Sequence, residues 1–79
     1  MDLANLIYMA NRIGDFFEPQ PDRAEALAGI ADHLRKFWEP RMRRTLLAGM
    51  DAGQAGALHP MVAEAISVNR AALEPAAVR

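Results

Sequence analysis

The run Glu18-Pro19-Gln20-Pro21-Asp22-Arg23-Ala24-Glu25 ends one helical pattern and begins another. Each proline lacks an amide donor and pushes the residue before it away from helical backbone, so a helix arriving at Glu18 stops there. Asp22 then offers a side-chain acceptor to the first free amides of a new helix. Glu25, three residues on, completes a carboxylate variant of the capping box. Two helices joined by so short a turn lie antiparallel.

On the N-terminal side of this turn, Leu3, Leu6, Ile7, Ala10, Ile13 and Phe17 recur at three- and four-residue steps, the spacing of one helix face. Met9, Ile13 and Phe16 run beside them and make the apolar face wider than a single neighbouring helix needs. On the C-terminal side, Leu27, Ile30, Ala31, Leu34 and Trp38 form the stripe of a second helix, with Ala24, Ala28 and Gly29 small enough for close approach. Pro40 suits the first turn of a third helix, where no amide donor is needed, so the chain bends at Trp38 and Glu39. Met42, Leu46, Leu47 and Met50 give that helix an apolar side before Gly49, Gly53 and Gly56 loosen the chain. Pro60 opens a last helix with two apolar faces, Val62, Ile66, Asn69 and Leu73 on one and Met61, Ala65, Val68 and Ala72 on the other. Such a helix is suited to docking on something larger.

These patterns predict an all-α fold, a small bundle of three to four antiparallel helices joined by short Pro/Gly turns. The single domain covers residues 1–79, with helices at about 3–17, 22–38, 40–51 and 60–73 and a frayed tail at 74–79. An open bundle is expected rather than a closed four-helix one.

A chain of 79 residues buries only about 60% of its unfolded surface, so its core is marginal. With no cysteine to form disulfides or thiolate zinc sites, a partner is the support that remains. A formal charge of −1 argues against general affinity for nucleic acid or anionic membranes. No signal peptide or membrane span is expected in the pattern, which makes the cytoplasm the expected location.

His33 and His59, the two histidines, lie far apart in sequence without metal-ligand spacing, and no metal site is expected. His33 reads as a solvated surface residue and His59, before Pro60, as a helix-starting one. Ser67 and Thr45 have no activating base nearby in sequence, and the carboxylates are scattered singly. The glycines after the third helix lack the features of a phosphate-binding loop. Catalytic, cofactor-binding and metal-ligating residues are therefore all expected to be absent.

The one cluster above background is Lys36-Phe37-Trp38-Glu39-Pro40-Arg41-Met42-Arg43-Arg44, extended by Arg35. A solvated charged face accounts for it as well as an interface does. As an interface, its arginines would offer bidentate hydrogen bonds to an acidic protein surface, with Trp38 as an aromatic anchor. Trp38 equally suits a plug where the second and third helices meet. Phe16, Phe17, Trp38, Arg41, Met42, Arg43 and Arg44 are the candidate partner interface, and replacing Arg41, Arg43 and Arg44 with Glu should release the partner.

Met9-Ala10-Asn11-Arg12-Ile13-Gly14-Asp15-Phe16-Phe17, Ala24 through Ile30, and His33 through Leu47 resemble the delta subunit of soluble NAD-dependent, molybdenum- or tungsten-containing formate dehydrogenases. Phe37-Trp38-Glu39-Pro40-Arg41-Met42 is the most specific segment. The resemblance covers residues 3–50, while residues 52–79 share only helical character. It implies an accessory subunit that supports assembly or stability of an alpha subunit bearing bis-molybdopterin guanine dinucleotide and iron-sulfur clusters. Flavin and the route to NAD belong to other subunits, and this chain holds no redox centre. Two alternatives stay open: a transient chaperone that passes cofactor to the alpha subunit, and a free-standing helical module. The latter could be an enzyme of the chorismate-mutase type that uses the Arg cluster. The isolated chain could also form a homodimer through its uncovered apolar faces.

Overall fold

In the computed structural model, which describes residues 2–75, the turn at Pro19–Pro21 separates helix α1 (Leu3–Phe17) from α2 (Arg23–Phe37). Asp2 caps α1 by accepting from the Ala4 amide at 3.1 Å, and Asp22 caps α2 by accepting from Glu25 at 3.2 Å. Helix α3 (Pro40–Asp51) starts on Pro40, and α4 (Pro60–Val68) starts on Pro60. A single turn, α5 (Arg70–Leu73), follows. No strand occurs among the described residues.

Gly53 stops α3. Its φ of +72° lies in the left-handed region open to glycine. The Gln54 amide reaches back to the Gly49 carbonyl at 2.8 Å and the Gly53 amide to Met50 at 3.1 Å, the paired bonds of a Schellman motif.

The expected helix over 60–73 is divided. Asn69 leaves helical geometry at φ −113°, ψ 25°, and its side-chain amide doubles its backbone N–H on the Ala65 carbonyl. An Asn that bonds its own preceding turn competes with helix continuation. The Ala72 amide then bonds Asn69, which tightens the chain into α5 and turns Leu73 back into the core. Of the tail, Glu74 is tied to Arg70 at 2.9 Å, and residues 76–79 lie outside the described residues.

Of the two apolar faces of α4, Val62 and Ile66 on the first look inward with Leu73 beyond them, while the second is covered only at Met61 and Ala65, and Val68, 71% exposed, and Ala72 face solvent. Met61, Val62, Ala65 and Ile66 are buried, and α4 packs chiefly on α2 and also on α1. Its apolar pattern from Met61 to Ile66 therefore reflects neighbours within the chain, α2 above all. Gly14 of α1 makes the close approach: a Cβ there would come within 2.8 Å of both His59 and Val62. The core joins Leu6, Ala10, Ile30, Leu34, Leu46, Val62 and Leu73 from five helices; among the described residues it contains no buried polar residue and leaves no buried side-chain polar atom unpaired. Hydrophobic burial dominates its stability, at about 1.5–3 kcal/mol for each large aliphatic side chain.

Candidate functional site

The elbow between α2 and α3 separates residues that are adjacent in sequence. Trp38, 6% exposed, is buried at the elbow, where it lines a small apolar cavity with Leu34, Leu46, Leu47, Ile66 and Leu73. Arg43 turns back across it. Its Nε donates to the Leu73 carbonyl at 2.9 Å, and one terminal nitrogen donates to Trp38 at 2.7 Å and to Arg35 at 3.3 Å. All three acceptors are carbonyls at or near helix ends, which lack intrahelical donors and carry partial negative charge. Trp38 and Arg43 thus hold the elbow together from inside. Met42 packs against the core, and Arg41 and Arg44 remain on the surface. Neither has a carboxylate partner among the described residues, whereas Arg35 and Lys36 share Asp32 at 2.9 and 3.0 Å. Those two cations hold the Asp32 carboxyl below its ordinary range, Lys36 with the larger effect.

A different surface collects the exposed aromatic residues. Tyr8, Arg12 and Phe16 follow one another at four-residue steps along α1, and Met9 lies beside them. Phe16 is 78% exposed and Phe37, at the end of α2, is 71% exposed. Phe17 behaves otherwise. Its ring lies over Gly29, where any Cβ would strike it, so it closes the α1–α2 contact and meets Phe16 edge-on at 5.2 Å. Beside this contact, Arg12, Ile13, Phe16, Phe17 and His33 line a shallow groove. His33 is half-buried and its ring lies 4.9 Å from that of Phe37, one turn further along α2, tilted by 47°. Arg12 donates to the Tyr8 hydroxyl at 3.2 Å with its guanidinium 5.9 Å from that ring.

Of the candidate interface, then, Phe16, Arg41 and Arg44 face solvent, Phe17 and Met42 are half-buried, and Trp38 and Arg43 are turned inward. Tyr8, Met9, Arg12 and Phe37 complete the exposed surface, with half-buried His33 between the two helices' aromatics. Their signal was present in the excess width of the α1 apolar face and in the Tyr8-Arg12-Phe16 spacing.

Asp15, Glu18 and His59 form the other cluster, with ligand atoms within 4.8 Å of one another. The His59 ring is committed elsewhere. Its Nδ1 accepts from the Met61 amide at 3.1 Å as the N-cap of α4. A neutral imidazole carries one proton, so that bond assigns it to Nε2. Nε2 points at Glu18, 3.3 Å away, and Asp15, 3.6 Å away. A cation at Nε2 would displace that proton and require loss of the cap. Asn11 completes the arrangement, accepting from the His59 amide at 2.6 Å and donating to the Ala57 carbonyl at 3.0 Å. The cluster is a latch that holds the start of α4 against the end of α1.

Residues 5–66 match the family described as NADH-dependant formate dehydrogenase delta subunit FdsD. The match runs beyond the elbow, through the α3–α4 loop and into α4, well past the segment whose resemblance is evident by eye. No curated protein and no solved structure matches the chain. No helix among the described residues is long and apolar enough to cross a membrane. The chain belongs to the delta-subunit family of NADH-dependent formate dehydrogenase.

Proposed function

We propose that this chain is a non-catalytic accessory subunit that binds the molybdopterin-bearing alpha subunit of formate dehydrogenase in the cytoplasm and supports its assembly or stability. The observation that carries the reading is the uncovered aromatic strip of Tyr8, Phe16 and Phe37 on a fold whose interior is already complete. Contiguous exposed apolar surface rimmed by polar groups marks an interaction site. The polar side chains that could suggest chemistry have structural work. Asp2, Asp22 and His59 cap helices, Asn11 anchors a loop, Thr45 bonds the Arg41 carbonyl, and Arg43 clasps the elbow. Redox centres and flavin belong, on this reading, to the other subunits.

Deleting the chain from cells that make the complex is expected to lower the amount and molybdopterin content of the alpha subunit, with recovery on complementation. The tagged chain should co-purify with that subunit at one copy each. Normal alpha-subunit content and activity without the chain would overturn the proposal, as would formate oxidation by the isolated chain.

A further inference from the structure

Resting on the accessory-subunit reading, we propose that the α1–α2 groove, together with Phe37, receives one amphipathic helix of a partner subunit, carrying an apolar ridge and a carboxylate that pairs with Arg12.

The apolar part of the argument begins with contrast inside one dipeptide. Phe17 finds cover over Gly29, but Phe16 next to it points outward and is 78% exposed. Phe37 is similarly uncovered at 71% exposed, with the tilted ring of His33 beside it. Each aromatic ring can bury about 150–250 Å². Ile13, Phe17 and His33 line the groove beside Phe16, and the contact of His33 with Phe37 extends the uncovered surface to Phe37.

Its shape selects a helix. The described residues contain no strand whose edge another strand could extend. Two antiparallel helices instead present a furrow into which the side-chain ridge of a third helix fits. From Tyr8 to Phe16 the strip rises about 12 Å, enough for anchors at i, i+4 and i+7 of a docked helix.

Charge selects an acidic ridge. Arg12 is exposed within the strip, and among the described residues its only side-chain partner is the neutral Tyr8 hydroxyl. The remaining guanidinium donors can hold one carboxylate in a fork, while the Tyr8 contact pre-orients the side chain. Beyond Phe37 the elbow adds Arg35, Lys36, Arg41 and Arg44 against Asp32 and Glu39, so this end of the groove repels a basic partner. Aromatic residues around a central arginine are also the composition of strong interface anchors.

The test places a photo-crosslinking phenylalanine analogue at position 16, at position 37 and, as control, at Ala52 in the exposed α3–α4 loop, in cells making the whole complex. Positions 16 and 37 are expected to capture the same partner segment, a helix with apolar residues at i, i+4 and i+7 and an adjoining Asp or Glu. Phe16→Asp and Phe37→Asp should each weaken binding by about 30-fold or more. Arg12→Glu should weaken it more strongly at low salt than at high salt, with Arg12→Lys intermediate. Unchanged helical circular dichroism and melting would show that these surface variants fold. Parent-like binding of Phe16→Asp and Phe37→Asp would overturn the groove and leave the accessory-subunit reading standing. Cross-links to a second copy of this chain or to lipid would also overturn it. If the parent chain retains no formate dehydrogenase subunit, both proposals fall.

Discussion

Arg43 donates to the carbonyls of Trp38 and Leu73, and so joins the end of α2 to the end of α5 through one planar group. Hydrogen bonds to a charged donor contribute about 1.5–3 kcal/mol, and their loss here also leaves helix-end carbonyls short of donors. Arg43→Ala is expected to cost about 2–3 kcal/mol, which for a domain this size lowers Tm by roughly 10 °C or more. Arg43→Lys should recover only part, because an ammonium lacks the fork. Thermal melts of the two variants beside Arg44→Ala check this; Arg44→Ala should melt like the parent. The distinction between these neighbours was not legible in the sequence, since the acceptor that orients Arg43 lies thirty positions away. It also makes Arg41→Glu with Arg44→Glu the cleaner test of the elbow surface, because adding Arg43→Glu would mix lost binding with lost fold.

Helix positions were legible for a different reason. Prolines at 19, 21, 40 and 60 and acids at 2 and 22 act locally, through missing amides and side-chain caps, and those features mark where helices stop and start. The break at Asn69 was hidden because Val62, Ile66, Asn69 and Leu73 keep helical spacing across it. The role of α4 was hidden too, for two apolar faces signal burial without saying whether the neighbours lie in the same chain. The close contact of α1 with α4 gives a test of that packing. Gly14→Ala improves helix propensity by about 1 kcal/mol, but the added Cβ must displace His59 or Val62, and overpacking costs about 1–3 kcal/mol. We expect net destabilisation of up to about 2 kcal/mol in a denaturant titration. Gly56→Ala, with open space around its added Cβ, should stay close to the parent.

Across the whole molecule, ion pairs hold ends of elements together. Arg70 grips both oxygens of Asp51 at 2.7 and 2.8 Å, connecting α5 to the end of α3, and also binds Glu74. The Arg70 hydrogen bonds hold the Asp51 carboxyl below its ordinary value of 3.8 and push the guanidinium upward. A depressed folded-state carboxyl pKa contributes stability that is present above the ordinary value and lost as pH falls through the folded one. Asp32, lowered by Lys36 and Arg35, acts in the same direction. Asp51→Asn should therefore be less stable than the parent at neutral pH, with the difference closing as pH drops below about 4. A series of melts across that range measures it; a difference independent of pH would show that the charge of Asp51 contributes nothing.

The burial of α4 against α1 and α2 has a consequence for the order in which the protein is made. Leu6, Ala10, Ala26 and Ile30 emerge from the ribosome long before Val62 and Ile66, the residues that help cover them. A nascent or truncated product ending before Pro60 carries caps, turns and three helix-forming segments but lacks the middle of its core. It presents bare apolar surface to chaperones and proteases. Closure of the core thus waits on α4 and α5, whose Val62, Ile66 and Leu73 come after every residue they cover.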